Sequence, residues 1–256
     1  MATLTCDFFS EALEVGTSVS VVLPQPTRAQ IGVSSSGPLG PPPVLYLLHG
    51  LSDDHTAWTR YTSIERYAAA AGLAVVMPAV GRSFYADERH GHPYWTYVSE
   101  ELPEVVRTFF RVSDRPEDTF VAGLSMGGYG AMRLALTHPE RYAAAASLSG
   151  ALDLAELVRK PERRELFARV FDGHPAPEED LLELLGRRRG ERLPALHVSC
   201  GTGDALLDGT QRFAAAALEA GADVTTDYRP GDHEWGLWDA VVRDVIDWLP
   251  RRTSPA

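Results

Sequence analysis

The chain has 256 residues, of which 45% are hydrophobic and 23% are charged, a composition typical of a folded protein and not of a disordered one. Its formal net charge of −11 disfavours nucleic acid as a partner, because an acidic surface repels the phosphate backbone. Its longest apolar runs are far shorter than the roughly 20 residues that cross a bilayer, so no membrane segment is predicted. The length favours a single domain over residues 1–256.

The N-terminal segment contains two strand-like pieces, Leu4 to Leu13 and Thr17 to Leu23, joined at Gly16. Both are rich in β-branched and aromatic residues, which predicts an antiparallel hairpin. The stretch from Pro24 to Pro43 collects Pro, Gly and Ser and is expected to be a surface loop. Val44 to Leu48 is a short continuous apolar run, typical of a strand that is buried on both faces.

From Val44 onward, short apolar strands alternate with longer helical patterns. The predicted strands are Leu73–Met77, Thr119–Ala122, Tyr142–Ser147, Ala195–Cys200 and Val224–Tyr228, and the predicted helices are Ser63–Ala71, Tyr94–Phe110, Gly127–Thr137, Thr210–Ala220 and Trp238–Leu249. Pro103 is expected to end or kink an early turn of the second of these helices. The alternation predicts an α/β fold with a mostly parallel sheet and helices on both faces.

The segment from Leu152 to Arg192 interrupts this alternation. It is dense in Arg, Glu and Leu and contains Pro161, Pro175 and Pro177. We expect a group of short helices inserted into the domain, either as a solvated decoration or as a cap over the site.

The two cysteines, Cys6 and Cys200, are too few for a disulfide framework or a zinc cluster and are interpreted as small core residues of a reduced protein. The first fifteen residues carry Asp7, Glu11 and Glu14 but no Lys or Arg, so they do not resemble a secretory signal. A cytoplasmic location is therefore expected, although removal of a leader peptide would leave the same sequence.

The pentapeptide from Gly123 to Gly127, GLSMG, matches the G-x-S-x-G pattern of a nucleophile elbow. It follows the predicted strand Thr119 to Ala122 and opens a predicted helix, which is the context that such an elbow requires. The tight turn explains the glycine on each side of Ser125 and directs the backbone N–H of Met126 toward a developing oxyanion. The alternative is an ordinary serine in a glycine-rich connection.

A nucleophilic serine needs an adjacent base, and the base needs an orienting carboxylate. Four histidines follow Ser125 in the chain: His138, His174, His197 and His233. His138 lies at the far end of the elbow helix, roughly 20 Å from Ser125 at 1.5 Å per residue. His174 falls in the irregular segment and His197 in an apolar strand. We therefore assign the base to His233, which lies in the loop between the last strand and the last helix.

Asp204 is the predicted acid. It follows the strand Ala195 to Cys200 through a glycine-rich turn, so its carboxylate emerges at the end of the strand where open α/β sheets bind ligands. Asp208 and Asp153 are the rival candidates, and the alternative for Asp204 itself is a helix N-cap.

A second oxyanion donor is expected from the loop that follows His49, with the backbone N–H of Leu51 as the candidate. Gly50 permits the tight bend, and His49 is interpreted as a structural residue beneath the loop. The run from Asp53 to His55 lacks a distant fourth ligand, so no metal is predicted, and the motifs call for no cofactor.

Four separated motifs together resemble the esterase D type of esterases, nearest to the bacterial tributyrin-esterase branch. They are His49–Leu51 with Trp58, Gly123–Gly128, Cys200–Asp204 and Pro230–Trp235. The resemblance covers about Val44 to Leu249 and implies an α/β-hydrolase fold. It places the family's triad on Ser125, Asp204 and His233 and its oxyanion donors on Leu51 and Met126.

The resemblance implies a serine carboxylesterase that hydrolyses short-chain acyl esters through an acyl-serine intermediate, with a small-molecule ester as its partner. The alternatives are an S-formylglutathione hydrolase, a carbohydrate acetyl or feruloyl esterase, and a catalytically silent scaffold that only binds. Trp58, Trp95 and Trp235 are candidate pocket residues, with ordinary packing as the alternative. The N-terminal hairpin or the Leu152–Arg192 segment could pair with a second copy of the chain, or either could be solvated.

Overall fold

The central feature of the computed structural model, which describes residues 1–27, 29, 31–32 and 40–250, is an eight-stranded sheet. Its strands are β1 (Ala2–Ser10), β2 (Val15–Leu23), β3 (Val44–Leu48), β4 (Ala74–Pro78), β5 (Thr119–Leu124), β6 (Ala144–Leu148), β7 (Ala195–Gly201) and β8 (Val224–Arg229). The order across the sheet is β1-β2-β4-β3-β5-β6-β7-β8. β2 pairs antiparallel with β1 and β4, and the remaining pairs are parallel. This confirms the predicted sheet with its N-terminal hairpin.

Helices cover both faces of the sheet. They are α1 (Ala57–Tyr61), α2 (Ile64–Ala71), α3 (Tyr94–Thr96), α4 (Leu102–Phe109), α5 (Met126–Thr137), α6 (Leu154–Val158), α7 (Arg164–Phe171), α8 (Leu181–Arg187), α9 (Leu207–Glu219) and α10 (Trp235–Trp248). None of the helices in the described residues has both the length and the apolar character that crossing a bilayer requires.

Successive side chains of β3 belong alternately to two hydrophobic cores. Val44, Tyr46 and Leu48 belong to the core that contains α5, whereas Leu45 and Leu47 belong to the core that contains α2 and α10. All five residues are buried, because successive side chains of a strand point to opposite faces and both faces are covered. The prediction of an α/β fold with helices on both faces is confirmed.

The N-terminal hairpin turns at a different place from the one predicted. The turn spans residues 11–14, and Gly16 lies within β2, opposite Phe9. Glu14 takes the left-handed conformation, with a φ of 56°. The turn is held by the Glu101 carboxylate, which accepts a hydrogen bond of 2.7 Å from the N–H of Glu11. A partner 90 residues away therefore outweighs the local preference for glycine.

The helical stretch that begins at Tyr94 changes its geometry before Pro103. A π turn, Tyr97–Glu101, separates α3 from α4, and Pro103 is the second residue of α4. Proline cannot donate a backbone hydrogen bond and crowds the preceding turn, so a wider turn just before it accommodates the ring. The irregularity predicted at Pro103 is thus a π turn that precedes the proline.

Residues 152–192 contain the short helices α6, α7 and α8. The α7 rings of Phe167 and Phe171 pack on Phe84 at 5.4 and 6.1 Å. Arg169, also on α7, pairs with the buried carboxylate of Glu88. These contacts fasten the segment to the loop that precedes α3. The loop predicted over Pro24–Pro43 falls partly outside the described residues, at 28, 30 and 33–39.

Candidate active site

Ser125 stands between β5 and α5 with a φ of 54° and a ψ of −117°. A positive φ is uncommon for a residue with a Cβ and marks a strained turn. The flanking glycines leave no room for side chains: a Cβ on Gly127 would lie 2.5 Å from the carbonyl oxygen of Leu48, and one on Gly123 would lie 2.4 Å from the backbone of Gly127. The turn therefore requires glycine at both positions, 123 and 127, as in the G-x-S-x-G pattern.

Three side chains meet at one edge of the sheet. The Ser125 Oγ lies 3.0 Å from the Nε2 of His233, and the Nδ1 of His233 lies 2.8 Å from the Oδ2 of Asp204. They follow the C-terminal ends of β5, β8 and β7, which share one edge because these strands are parallel. The side chain of His233 is 38% exposed and that of Asp204 only 1% exposed, so the arrangement is open at the serine end and closed at the carboxylate end.

The environment of Asp204 keeps its carboxylate ionised. Burial alone raises the pKa of a carboxyl group, but the hydrogen bonds from His233 and from the Leu206 N–H, at 2.9 Å, outweigh it, and the pKa of Asp204 lies below its ordinary value. An ionised carboxylate favours the tautomer of His233 that carries its proton on Nδ1. The Nε2 atom is then free to accept the proton of Ser125.

The loops that carry Asp204 and His233 are in direct backbone contact. The N–H of Gly203 donates to the carbonyl of Gly231 at 2.9 Å, and a Cβ on Gly201 would lie 2.3 Å from that same oxygen. Gly231 has a φ of 148°, a region that favours glycine. The glycines around both residues thus set the separation of Asp204 and His233.

The loop after β3 runs beside the serine. A Cβ on Gly50 would lie 3.8 Å from the Cβ of Ser125 and 2.6 Å from the side chain of Leu124, so the loop passes close to the serine. Leu51 follows directly, and Met126 is the first residue of α5, where backbone N–H groups have no partner within the helix. Both N–H groups that the sequence predicts as oxyanion donors thus belong to backbone next to Ser125.

His49 supports this loop from below. Its Nε2 accepts a hydrogen bond of 3.0 Å from the N–H of Val80, so its Nδ1 carries the proton and donates to the carbonyl of Gly50 at 2.7 Å. Burial lowers the pKa of His49, which keeps the ring neutral. The hydroxyl of Tyr85 donates to the carbonyl of His49 at 3.0 Å and fixes the loop from a third side.

For one of the three predicted pocket tryptophans, Trp58, the prediction is wrong. Its ring is 0% exposed, and its indole N–H donates to the carbonyl of Leu48 at 3.1 Å, so it belongs to the core. Trp95 packs against the second half of α5, with the Arg133 guanidinium 4.1 Å above its ring and the imidazole of His138 stacked on it. Trp235 is half-buried and packs edge-on against Trp58.

The rival histidines are engaged elsewhere. His138 stacks on Trp95, His174 is exposed on the segment between α7 and α8, and His197 lies in β7 against the ring of Trp248. Burial lowers the pKa of both His138 and His197.

The rival acids also have other partners. Asp153 accepts a hydrogen bond from the N–H of Glu156 and pairs with Arg212 at 2.9 Å, and Asp208 is exposed in the first turn of α9. In the Asp53–His55 run, Asp54 accepts hydrogen bonds from the backbone and hydroxyl of Thr56, and the imidazole of His55 bonds the hydroxyl of Ser20.

Sequence reasoning missed several residues that pack around the site. The Trp238 ring meets the His233 ring edge-on at 4.8 Å and restricts how the imidazole can turn. Trp238 is the first residue of the predicted helix Trp238–Leu249, five positions after His233, and this closeness in the chain was the available signal. Cys200 lies against Asp204, and burial together with that negative charge raises the pKa of its thiol to about 11, so it stays protonated. Ser149 also lies against Asp204, and no sequence pattern marks it.

Comparison with known proteins identifies the family. The model of the family described as "Putative esterase" matches residues 10–245. The chain belongs to this esterase family. An acetyl esterase from Caldicellulosiruptor saccharolyticus is 27% identical over 98% of this chain and 99% of the relative. An S-formylglutathione hydrolase from Paracoccus denitrificans is 30% identical over 83% of this chain and 84% of the relative.

A solved structure of similar sequence shares the whole fold of this esterase. FphF, a fluorophosphonate-binding serine hydrolase from Staphylococcus aureus, is 32% identical, and the match covers 97% of this chain and 98% of FphF with a TM-score of 0.87. The predicted α/β-hydrolase fold and the predicted serine hydrolase class are confirmed.

Proposed function

We propose that Ser125, His233 and Asp204 are the catalytic triad of a carboxylesterase that hydrolyses short-chain acyl esters. The observation that carries the proposal is the continuous hydrogen-bonded path from the Ser125 Oγ through both ring nitrogens of His233 to a buried, ionised carboxylate. A hydroxyl in this setting can lose its proton as it attacks a carbonyl carbon.

In the proposed mechanism, His233 takes the Ser125 proton as the Oγ bonds to the ester carbonyl carbon, and Asp204 stabilises the imidazolium. The N–H groups of Leu51 and Met126 bind the oxyanion, each stabilising the transition state by on the order of 3 kcal/mol. The bond to the alcohol oxygen then breaks, and His233 protonates the departing alcohol. A water then gives a proton to His233 as its oxygen bonds to the acyl carbon. The acyl–serine bond breaks, His233 returns the proton to the Ser125 Oγ, and the acid is released.

The choice of short acyl groups rests on the relative named an acetyl esterase, which aligns over nearly its whole length. Thioester hydrolysis is the second candidate, because a relative of 30% identity is named an S-formylglutathione hydrolase. The same nucleophile and oxyanion donors would act on either carbonyl. The ratio of kcat/KM for S-formylglutathione to that for p-nitrophenyl acetate separates the two.

We place residues 152–192 beside the site as a fixed wall. The N–H of Ala151 donates to the Ser125 carbonyl at 3.0 Å, so the segment begins directly next to the nucleophile. The packing of α7 on Phe84 and Glu88 favours a wall over a moving lid. Residues 1–256 would then form a single domain.

We also propose a cytoplasmic location, supported by the free thiols of Cys6 and Cys200, and fractionation of the source cells tests it.

The test is the Ser125→Ala variant assayed with p-nitrophenyl esters from acetate to laurate. We expect wild-type turnover to be highest with acetate to butyrate and the variant to lose at least a thousandfold in kcat while its melting temperature is kept. Ser18→Ala, which removes a hydroxyl on the N-terminal hairpin, is the matched control and should match wild type.

A fluorophosphonate probe adds a second readout, because it should label wild type and not Ser125→Ala. Hydrolysis by Ser125→Ala at the wild-type rate, or a wild-type protein that neither hydrolyses the esters nor takes the label, would contradict the proposal. The second of these outcomes would indicate a silent scaffold.

A further inference from the structure

Ser149, the residue that follows β6, has a strained backbone and a buried side chain. Its φ is 48°, and it is 1% exposed. A glycine would adopt this conformation without strain, since it lacks the Cβ that makes positive φ unfavourable. A serine at such a position suggests that its hydroxyl is used, because strained residues persist where the surroundings require them.

The backbone of Ser149 fixes the hydroxyl next to the acid of the proposed triad. Its N–H donates to the carbonyl of Ser199 on β7 at 2.8 Å. Cys200 follows Ser199, and the Ser149 hydroxyl lies against both the Cys200 thiol and the Asp204 carboxylate. The hydroxyl oxygen is fully buried and forms no well-shaped hydrogen bond with any described residue in this structure. Its proton is therefore available for the carboxylate.

The Asp204 carboxylate has capacity for a further donor. Two groups donate to it with good geometry, the Leu206 N–H to Oδ1 and the His233 Nδ1–H to Oδ2. A carboxylate offers about four acceptor positions, and a buried one is costly unless several of them are used. A third donor would also oppose rotation of the carboxylate, which would carry Oδ2 away from the imidazole.

The short connection from Ser149 to Ala151 meets both ends of the triad. While Ser149 faces Asp204, the N–H of Ala151 donates to the carbonyl of Ser125 at 3.0 Å. The exit of β6 thus lies between the nucleophile and the acid. A change in the Ser149 side chain would therefore act on the Asp204 carboxylate directly and on Ser125 only indirectly.

We propose that Ser149 is a positioning residue whose hydroxyl donates to the Asp204 carboxylate and holds it against His233 while the imidazolium forms. The inference rests on the proposed function of the triad. Ser149 touches no reacting atom and acts only through Asp204.

The test is a double-mutant cycle of Ser149→Ala and Asp204→Asn on p-nitrophenyl acetate hydrolysis. We expect Ser149→Ala to lower kcat about tenfold with KM within about twofold of wild type. In the Asp204→Asn background the same substitution should change kcat by less than about twofold, because the group it acts through is already gone. A purely structural role would give the same loss in both backgrounds.

Two further variants separate the hydroxyl from the backbone. Ser149→Gly relieves the positive φ and also lacks the hydroxyl, so it should melt no lower than wild type yet show the same tenfold loss; it also serves if Ser149→Ala folds poorly. Ser147→Ala removes a second buried hydroxyl without a hydrogen bond, one that faces Gly128 and Gly150, and should keep wild-type kcat.

The outcomes also distinguish this inference from the function on which it rests. If Asp204→Asn loses activity but Ser149→Ala and Ser149→Gly do not, the role of Ser149 is refuted and the triad stands. Equal losses in the wild-type and Asp204→Asn backgrounds refute it as well. If Asp204→Asn keeps wild-type kcat, both the triad and the role of Ser149 are overturned.

Discussion

Two histidine loops approach Ser125, one around His49 and one around His233, and they use the same side chain in opposite ways. Both ring nitrogens of His49 bond to backbone groups, and the residue is 1% exposed. The ring nitrogens of His233 bond to a carboxylate and a hydroxyl, and its side chain is 38% exposed. The partners of the ring therefore decide whether an imidazole beside the serine can take up and release a proton.

The largest expected effect is the loss of activity when the His233 side chain is removed from the exposed loop. His233→Ala should lower kcat for p-nitrophenyl acetate by about 10⁴-fold, because the serine loses its base, while the melting temperature changes by about 2 °C or less. Steady-state kinetics and a thermal melt on the same preparation measure both. Retention of a tenth or more of the wild-type kcat would refute the assignment of His233 as the base.

The second effect is a decrease in the free energy of unfolding when the His49 side chain is removed from the buried loop. His49→Ala leaves the Val80 N–H and the Gly50 carbonyl without partners, so the free energy of unfolding should fall by about 3 kcal/mol in urea titrations. Activity should fall about tenfold to a hundredfold, since the displaced loop carries Leu51, one of the two proposed oxyanion donors. His90→Ala, which removes an exposed imidazole, is the control and should match wild type. A His49→Ala variant as stable as wild type would show that the ring does not support the loop.

The smallest effect for any one side chain is a pH dependence of stability from imidazoles whose pKa is lowered in the folded state. Burial lowers the pKa of His49, His138 and His197 in the folded state. Below about pH 6.5 the unfolded chain therefore binds protons that the folded chain does not, and the free energy of unfolding should decrease as the pH falls, by up to about 1.4 kcal/mol per pH unit for each histidine.

Urea titrations at pH 7.0 and 5.5 measure this slope. His49→Ala should show a smaller slope than wild type, because it removes an imidazole whose pKa is lowered by burial in the folded state. A slope equal to that of wild type would mean that His49 does not contribute.

The sheet and the triad candidates could be predicted because their signals are local. Continuous apolar runs identify strands buried on both faces, and the glycines around Ser125 are demanded by the backbone that lies within 3 Å of where their side chains would be. The order of strands along the chain then restricts the acid and the base to a few residues each.

The remaining features depend on contacts between distant parts of the chain. The hairpin turn at residues 11–14 is set by Glu101, and α10 begins at Trp235, three residues before its predicted start, where that ring packs on Trp58. Trp58 is close to the site in sequence, but its indole N–H bonds to Leu48 and turns the ring into the core. The helix α1 escapes prediction because its five residues are too few to show a period.

The way in which the chain leaves β6 and returns in β7 has a consequence for engineering. The two strands are neighbours in the sheet, and the first residues after β6 are fixed by Ser125 and by β7. The chain from Leu152 to the start of β7 is thus anchored beside Ser125 at one junction and in the sheet at the other. A replacement for this segment can therefore keep both junctions, but it also has to preserve the packing of α7 on Phe84 and its ion pair with Glu88.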